Sequence, residues 1–184
     1  MRRAIIFVAL LSSFDAAFAA NQHGEWSLER LNRNAVALLN RDMRLLDDRV
    51  LTAELGFTCN RQSKAFGASL IPFKGAFSNQ QRDVSVLVQK SSDTVSKSDL
   101  SLEWQNGSKY MFLDDQDEIA KLIVYLKTSE HNGTDFVHFF FSGGKLDLLN
   151  HVVISLSGFS EGIAILNATC KSNGRGLHLT DSSS

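Results

Sequence analysis

Two cysteines, Cys59 and Cys170, constrain this chain more than any other feature. They are its only cysteines, and almost every segment with a regular apolar pattern lies between them. Cys59 ends a run from Leu51 in which every second residue is apolar, which predicts a strand with one buried face. Cys170 ends a run from Ile154 whose pattern predicts a strand followed by a short helix. A bond between the two thiols would tie that closing helix to the core sheet.

Residues 1–19 have the three-part pattern of an export signal. Arg2 and Arg3 give it a positive start, an apolar run follows to Phe14, and Ala17-Phe18-Ala19 is a small-x-small cleavage site. The apolar run is shorter than the ~20 residues that a membrane-spanning helix needs, and no later segment approaches that length. The mature protein is therefore expected to be periplasmic or secreted, with no membrane span. The predicted division of the chain is a signal peptide at 1–19, a single β-rich domain at 20–170 and a flexible polar tail at 171–184.

Export makes a disulfide the expected state of Cys59 and Cys170, because paired cysteines oxidise outside the cytosol. Two cysteines do not make a tetrahedral zinc site, and no histidine lies at ligand spacing from either. A nucleophilic cysteine with a histidine base is the weaker alternative, since exported thiols oxidise. The bridge would close a loop of roughly 110 residues, which the chain-entropy model values at up to about 4–5 kcal/mol.

The composition and motifs weigh against several classes of function. A formal net charge of -1 gives no basic surface of the kind that nucleic-acid binding requires. The chain contains neither Gly-x-Ser-x-Gly nor His-Glu-x-x-His, and Gly143-Gly144-Lys145 is too short for a phosphate loop. We therefore predict no catalytic residues, no cofactor and no nucleic-acid partner.

Between the cysteines, alternating apolar residues predict antiparallel strands. Residues 66–70 and 84–88 alternate in this way, and Pro72 marks a strand end or an edge. Asn106-Gly107 suits a type I′ hairpin turn, which would place Leu102 opposite Met111. A second hairpin is predicted further along the chain, with its turn at Gly143-Gly144.

One helix is predicted between the two hairpins, with Asp114 or Asp115 as its N-cap. Its apolar stripe consists of Ile119, Leu122, Ile123 and Leu126. Many one-sided strands with one intervening helix and one closing helix predict a β-rich α+β fold. We expect an antiparallel β-sandwich or a curved sheet, with the C-terminal helix tied by the disulfide.

Residues 21–48 allow two interpretations. Apolar residues recur near helical spacing, and Ser27 could cap such a helix. The rival interpretation is two strands at 26–31 and 35–39, joined by a turn at Asn32-Arg33-Asn34. Periodicity alone favours the helix.

The outer face of the second hairpin carries the candidate binding patch. Its members are Phe136, His138, Phe140, Asp147 and His151. The predicted register sets His138 diagonally from His151 and Phe140 opposite Asp147. Two histidines and a carboxylate could hold a metal, but nothing in the sequence sets the third ligand at the right depth, so no metal is predicted. An exposed aromatic patch for a protein partner is the favoured interpretation.

The two cysteine segments resemble those of small exported bacterial proteins of the type VI secretion-associated TagO/VasI kind and their uncharacterised relatives. In those chains a tryptophan-led strand follows the signal, a strand ends in cysteine, and a short helix ends in the second cysteine. The matching residues are Trp26, Phe57, Cys59, Ile154, Leu156, Gly158, Phe159, Ile163, Leu166 and Cys170. The resemblance implies strands near Trp26 and at 35–39, against the periodicity. A well-developed helix at 115–127 and the serine-rich tail depart from the pattern.

The resemblance also implies a non-enzymatic accessory or binding protein of the envelope, linked to a secretion system, and it supplies no catalytic residues. The expected partner is another envelope or secreted protein. One alternative is an exported hydrolase that uses His138 or His151 with Asp135 or Asp147 as acid and base. Another is a secreted effector.

Overall fold

A computed structural model describes residues 21–23, 26–46, 49–72, 83–90, 99–107, 110–141 and 151–171. The predicted signal peptide, the turn at Gly143-Gly144 and nearly all of the predicted tail lie outside these residues. The described strands are β1 (Asn21–His23), β2 (Trp26–Arg30), β3 (Ala35–Leu46), β4 (Arg49–Asn60), β5 (Phe66–Ile71), β6 (Asp83–Gln89), β7 (Leu100–Asn106), β8 (Met111–Leu113), β9 (Phe136–Phe141) and β10 (His151–Ser155). The two helices are α1 (Gln116–His131) and α2 (Phe159–Lys171).

The ten described strands form one sheet in the order β1-β2-β3-β4-β5-β8-β7-β6-β9-β10. Every pairing among them is antiparallel. The predicted β-rich α+β class is therefore confirmed. Of the two predicted architectures, the single curved sheet is the one observed.

The sheet curls until its last strand meets β2 and β3. The Val153 N–H of β10 donates to Asp42 Oδ2 on β3 at 2.9 Å. Trp26 Nε1 on β2 donates to the Ser155 carbonyl of β10 at 2.8 Å. Backbone groups at the sheet edge thus find side-chain partners inside the same molecule, which keeps them from recruiting another chain.

The inner face of the curled sheet is almost wholly apolar, as the alternation predicts. The strand residues in this core are Trp26, Val36, Leu38, Ala53, Leu55, Phe57, Cys59, Ala68, Leu70, Val84, Val86, Val88, Leu102, Trp104, Met111, Leu113, Val137, Phe139, Phe141, Val152 and Ile154. Complete burial of one such large side chain stabilises the fold by about 1.5–3 kcal/mol. The outer face is where polar side chains and the candidate patch lie.

Helix α1 begins where the sequence predicts. Asp115 is its N-cap, and its carboxylate accepts hydrogen bonds from the main-chain N–H groups of Asp117 and Glu118 at 2.9 and 3.0 Å. Ile119, Leu122 and Leu126 are buried against the sheet. The cap and the apolar stripe are both confirmed.

Helix α2 closes the fold over β2, β3 and β4. Phe159 lies 4.9 Å from the ring of Trp26 and 5.5 Å from that of Phe57, measured between ring centroids. The disulfide between Cys59 and Cys170 is present, with 5.9 Å between the two Cα atoms. Both cysteines are buried, as their positions in the alternation and on the helix stripe predict.

Residues 26–46 are strands, so the helix favoured by periodicity is wrong and the strand interpretation is confirmed. The cause lies in β3, where Ala37 and Leu39 on the outer face are buried as fully as Val36 and Leu38 on the inner face. A strand buried on both faces loses the period of two that identifies it. Asn34 N–H donates to the Asn32 side chain at 2.8 Å in the connecting turn.

The predicted register of the first hairpin is wrong. Asn106, rather than Leu102, pairs with Met111, and the Gly107 N–H donates to the Tyr110 carbonyl at 2.8 Å. Asn106, which the prediction placed in the turn, is therefore part of the paired strand, and β8 has only three residues before the chain turns toward α1. The predicted faces are nevertheless correct, since Leu102 and Met111 are both buried.

Candidate binding patch

The candidate patch lies on the outer face of β9 and β10. His138 and Phe140 alternate with the buried residues of β9, and His151 is the first residue of β10. The observed register pairs Phe140 with His151, so the predicted pairing of Phe140 with Asp147 is wrong. His138 pairs with Val153, which leaves it diagonal to His151 as predicted.

Three rings form a stack across the two strands. Ring centroids are 5.3 Å apart for Phe140 and His151, 5.9 Å apart for His138 and Phe140, and 5.9 Å apart for His138 and His151. Interplanar angles of 14° to 28° make the rings nearly parallel. Such aromatic pairs contribute about 0.5–1.5 kcal/mol each beyond their buried area. The stack fixes the three side chains before any partner arrives.

Phe136 lies on the same face as the stack, at the start of β9. It is 48% exposed, among the most exposed large apolar side chains in the described residues. It shares the outer face with His138 and Phe140 because all three are two residues apart on one strand. Asp147, the remaining predicted member, lies outside the described residues.

The other strand beside β9 is β6, so the patch has ordered neighbours on both sides. Leu87 pairs with Phe140 and Gln89 pairs with His138. The buried Gln89 side chain in turn donates from Nε2 to Asp99 Oδ2 at 3.1 Å. The patch therefore lies on three paired strands, β6, β9 and β10, and the alternate residues of β9 anchor it in the core.

The acid–base chemistry of the predicted hydrolase alternative depends on a carboxylate near these histidines. Asp135 precedes β9, and its main-chain carbonyl accepts the Leu156 N–H at 2.8 Å. The other proposed carboxylate, Asp147, is not among the described residues. Within the part of the chain that the structure describes, no three histidine, cysteine or acidic side chains gather as metal ligands would.

Sequence reasoning missed an open groove between α1 and the adjoining ends of β6 and β7. Its volume is about 400 Å³ and it is lined by Lys90, Leu100, Lys121, Val124, Tyr125 and Thr128. The Lys90 ammonium lies 5.5 Å from the centroid of the Tyr125 ring. Val124 is 62% exposed, an apolar residue off the buried stripe of α1 that could have signalled this surface.

Burial raises the pKa of Tyr125 to about 12, and the nearby Asp99 carboxylate adds to the shift. The phenol therefore stays neutral throughout the physiological range. Tyr125 therefore lines the groove without a charge.

Neither a scan of protein-family models nor searches of curated proteins and of solved structures finds a significant match to this chain. The similarity to the TagO/VasI kind of protein therefore stays a prediction. Of the helices that the structure describes, neither combines the length and the apolar character needed to cross a bilayer.

Proposed function

We propose that this chain is an exported, non-enzymatic binding protein of the bacterial envelope that uses its outer-face patch to contact another envelope or secreted protein. The observation that carries the proposal is the stack of Phe140, His138 and His151 with the exposed Phe136 beside it. Aromatic side chains fixed before binding lose little entropy on contact, which is why they dominate protein interfaces.

The disulfide supports the exported location, since a bridge such as Cys59–Cys170 persists in oxidising compartments. The export signal in the sequence makes the same prediction. Intact-mass measurement of protein recovered from the envelope should show a chain that begins at Ala20. A mass that retains residues 1–19 would contradict the export part of the proposal.

The binding part is tested by site-specific photocrosslinking in the native envelope. A photoreactive residue at Phe136 should capture one protein species, whereas the same residue at the exposed Val124 of helix α1 should not. Phe140→Ala should reduce the capture at position 136 without unfolding the domain. Capture of the same species at both positions, or of none, would overturn the proposal.

The hydrolase alternative makes a different prediction for the same patch. If the protein is a hydrolase, His138→Ala and His151→Ala should each abolish an activity while the protein stays folded. Neither substitution should then change the crosslinking from position 136.

A further inference from the structure

One end of the curled sheet carries a group of positively charged residues. The turn between β2 and β3 meets the turn between β4 and β5 there, since the Arg61 N–H donates to the Asn34 carbonyl at 2.7 Å. The cations of these turns and of the strand end beside them are Arg30, Arg33, Arg61 and Lys64. We call the surface formed by residues 30–34 and 60–64 the basic end.

Neighbouring carboxylates do not neutralise the basic end. Positions 30–41 and 55–66 contain no acidic residue. Among the residues that the structure describes, the ion pairs involve Arg41 or Lys121, and neither of these cations belongs to the basic end. Arg61 is half-buried and the other three cations are exposed. The formal net charge of -1 for the whole chain therefore conceals a local excess of positive charge.

An exposed leucine lies among these cations. Leu31, between two of the arginines, is 52% exposed. Its N–H donates to the Ala35 carbonyl at 3.0 Å, and the Asn34 N–H donates to the Asn32 side chain at 2.8 Å, so the turn that presents it is ordered. A lone exposed leucine is ordinary on a protein surface. An apolar side chain surrounded by cations is the combination that binds an anionic membrane surface.

We propose that the basic end docks onto the surface of a bilayer that contains anionic phospholipids. Each lysine or arginine close to such a surface strengthens the binding by about fivefold. The Leu31 side chain enters the boundary between the headgroups and the acyl chains, where apolar side chains are buried. An acidic polymer in solution would attract the same cations but would leave the leucine in water, which is why a bilayer is the better match.

The docking should be weak and sensitive to salt. The acidic start of α1 approaches the basic end, because the Gln116 side chain bonds to both main-chain groups of Phe66. Its carboxylates oppose the approach to an anionic surface. Salt screens exposed charges beyond about 10 Å at 0.1 M and more strongly above that, so binding should be lost at high salt. The basic end shares no residue with the patch on β9 and β10, and vesicle binding needs no protein partner.

Vesicle sedimentation with the predicted mature chain, residues 20–184, tests the proposal. The protein should bind vesicles of mixed phosphatidylcholine and phosphatidylglycerol at low salt, and should not bind phosphatidylcholine alone. Arg30→Gln with Arg33→Gln should lower the partition coefficient about 25-fold, as two steps of about fivefold. Lys121→Gln with Lys127→Gln removes the same charge from exposed positions of α1 and should leave the binding unchanged. Absence of wild-type binding to the mixed vesicles, or equal losses for the two double variants, would overturn the proposal.

Tryptophan fluorescence tests the entry of position 31 into the bilayer. The two native tryptophans, Trp26 and Trp104, are completely buried, so Leu31→Trp adds the only exposed indole. Its emission should shift to the blue on addition of the mixed vesicles and should not shift with soluble polyphosphate. Val124→Trp, at an exposed apolar position of α1, is the control and should not shift with either. An unshifted Leu31→Trp emission with vesicles, or an equal shift with polyphosphate, would contradict docking onto a bilayer.

Discussion

The two helices of this fold are held to the sheet by different means. Helix α1 follows β8 and precedes β9, so the chain itself anchors both of its ends. Helix α2 is the last described element, and β10, which precedes it, is the one described strand next to it in the chain. At the end of α2, the disulfide from Cys170 to Cys59 supplies the second anchor. The Lys64 ammonium adds to it by donating to the Cys170 carbonyl at 2.9 Å. A covalent bond thus replaces the restraint that chain connectivity gives to α1.

The helices also differ in what their outer surfaces show. α2 packs its aromatic start among Trp26 and Phe57 in the core. α1 leaves Val124 exposed and borders an open groove. Helix α2 therefore closes the core, whereas α1 keeps one side open to solvent. Four substitutions test this difference.

Removal of the disulfide should have the largest effect. Cys170→Ser is expected to reduce the free energy of unfolding by about 2–4 kcal/mol, because the denatured chain regains loop entropy. Hydrogen exchange should show α2 opening first, ahead of the strands. Ala168→Ser, at an exposed position of the same helix, is the control and should change little. An unchanged melting temperature on reduction of the wild type would refute the energetic argument.

The second-largest loss of stability should come from a substitution where α2 approaches β3 closely. A Cβ at Gly162 would lie 2.8 Å from Leu38 Cδ1, and Leu38 is completely buried. Gly162→Ala should therefore cost about 1–3 kcal/mol in thermal or denaturant unfolding, although alanine favours helices. Adding Leu38→Ala should remove the clash, so the two losses should not add. A stabilised Gly162→Ala protein would show that the helix shifts freely.

The N-cap of α1 should have a smaller and local effect. Asp115→Ala removes the acceptor of two main-chain N–H groups and should cost about 0.5–2 kcal/mol. Asp114→Ala is the matched control, since the exposed Asp114 carboxylate accepts from the Gln105 side chain rather than from the main chain of α1. Urea unfolding measures both. Equal losses for the two variants would argue against capping as the cause.

The pH dependence of Tyr125 should give the smallest effect. Its pKa is raised to about 12 from 10, so the folded state holds the phenol proton more tightly than the unfolded state does. That stabilisation is complete below pH 10 and is lost as the pH rises toward 12. The Tyr125 side chain is only half-buried, so solvent screens part of this interaction and we expect at most about 1 kcal/mol. Tyr125→Phe should show a shallower loss of stability over this range. A tyrosinate absorbance difference between the two proteins that titrates near pH 10 would contradict the shift.

The candidate patch was only partly predictable from the sequence. Alternation alone places Phe136, His138 and Phe140 on one face, because side chains alternate along any strand. The partner of Phe140 was not predictable in this way, since the observed register sets His151 rather than Asp147 opposite it. The register of a hairpin depends on the length of its connection, and a glycine pair does not determine that length.

By itself, the sequence determined the buried face of the alternating strands, the pairing of Cys59 with Cys170, and the N-cap of α1 to within one residue. The buried face and the cap depend on local sequence patterns. The disulfide follows because a chain with two cysteines allows only one pairing. Tertiary structure alone decided that residues 26–46 are strands, because Ala37 and Leu39 are covered on a face that alternation assigns to solvent. It also decided the curl of the sheet, in which Asp42 and Trp26 bond to β10 from more than a hundred residues away. Contacts between residues so distant in the chain leave no periodic mark in either segment, since each side chain meets its partner only after the sheet has closed.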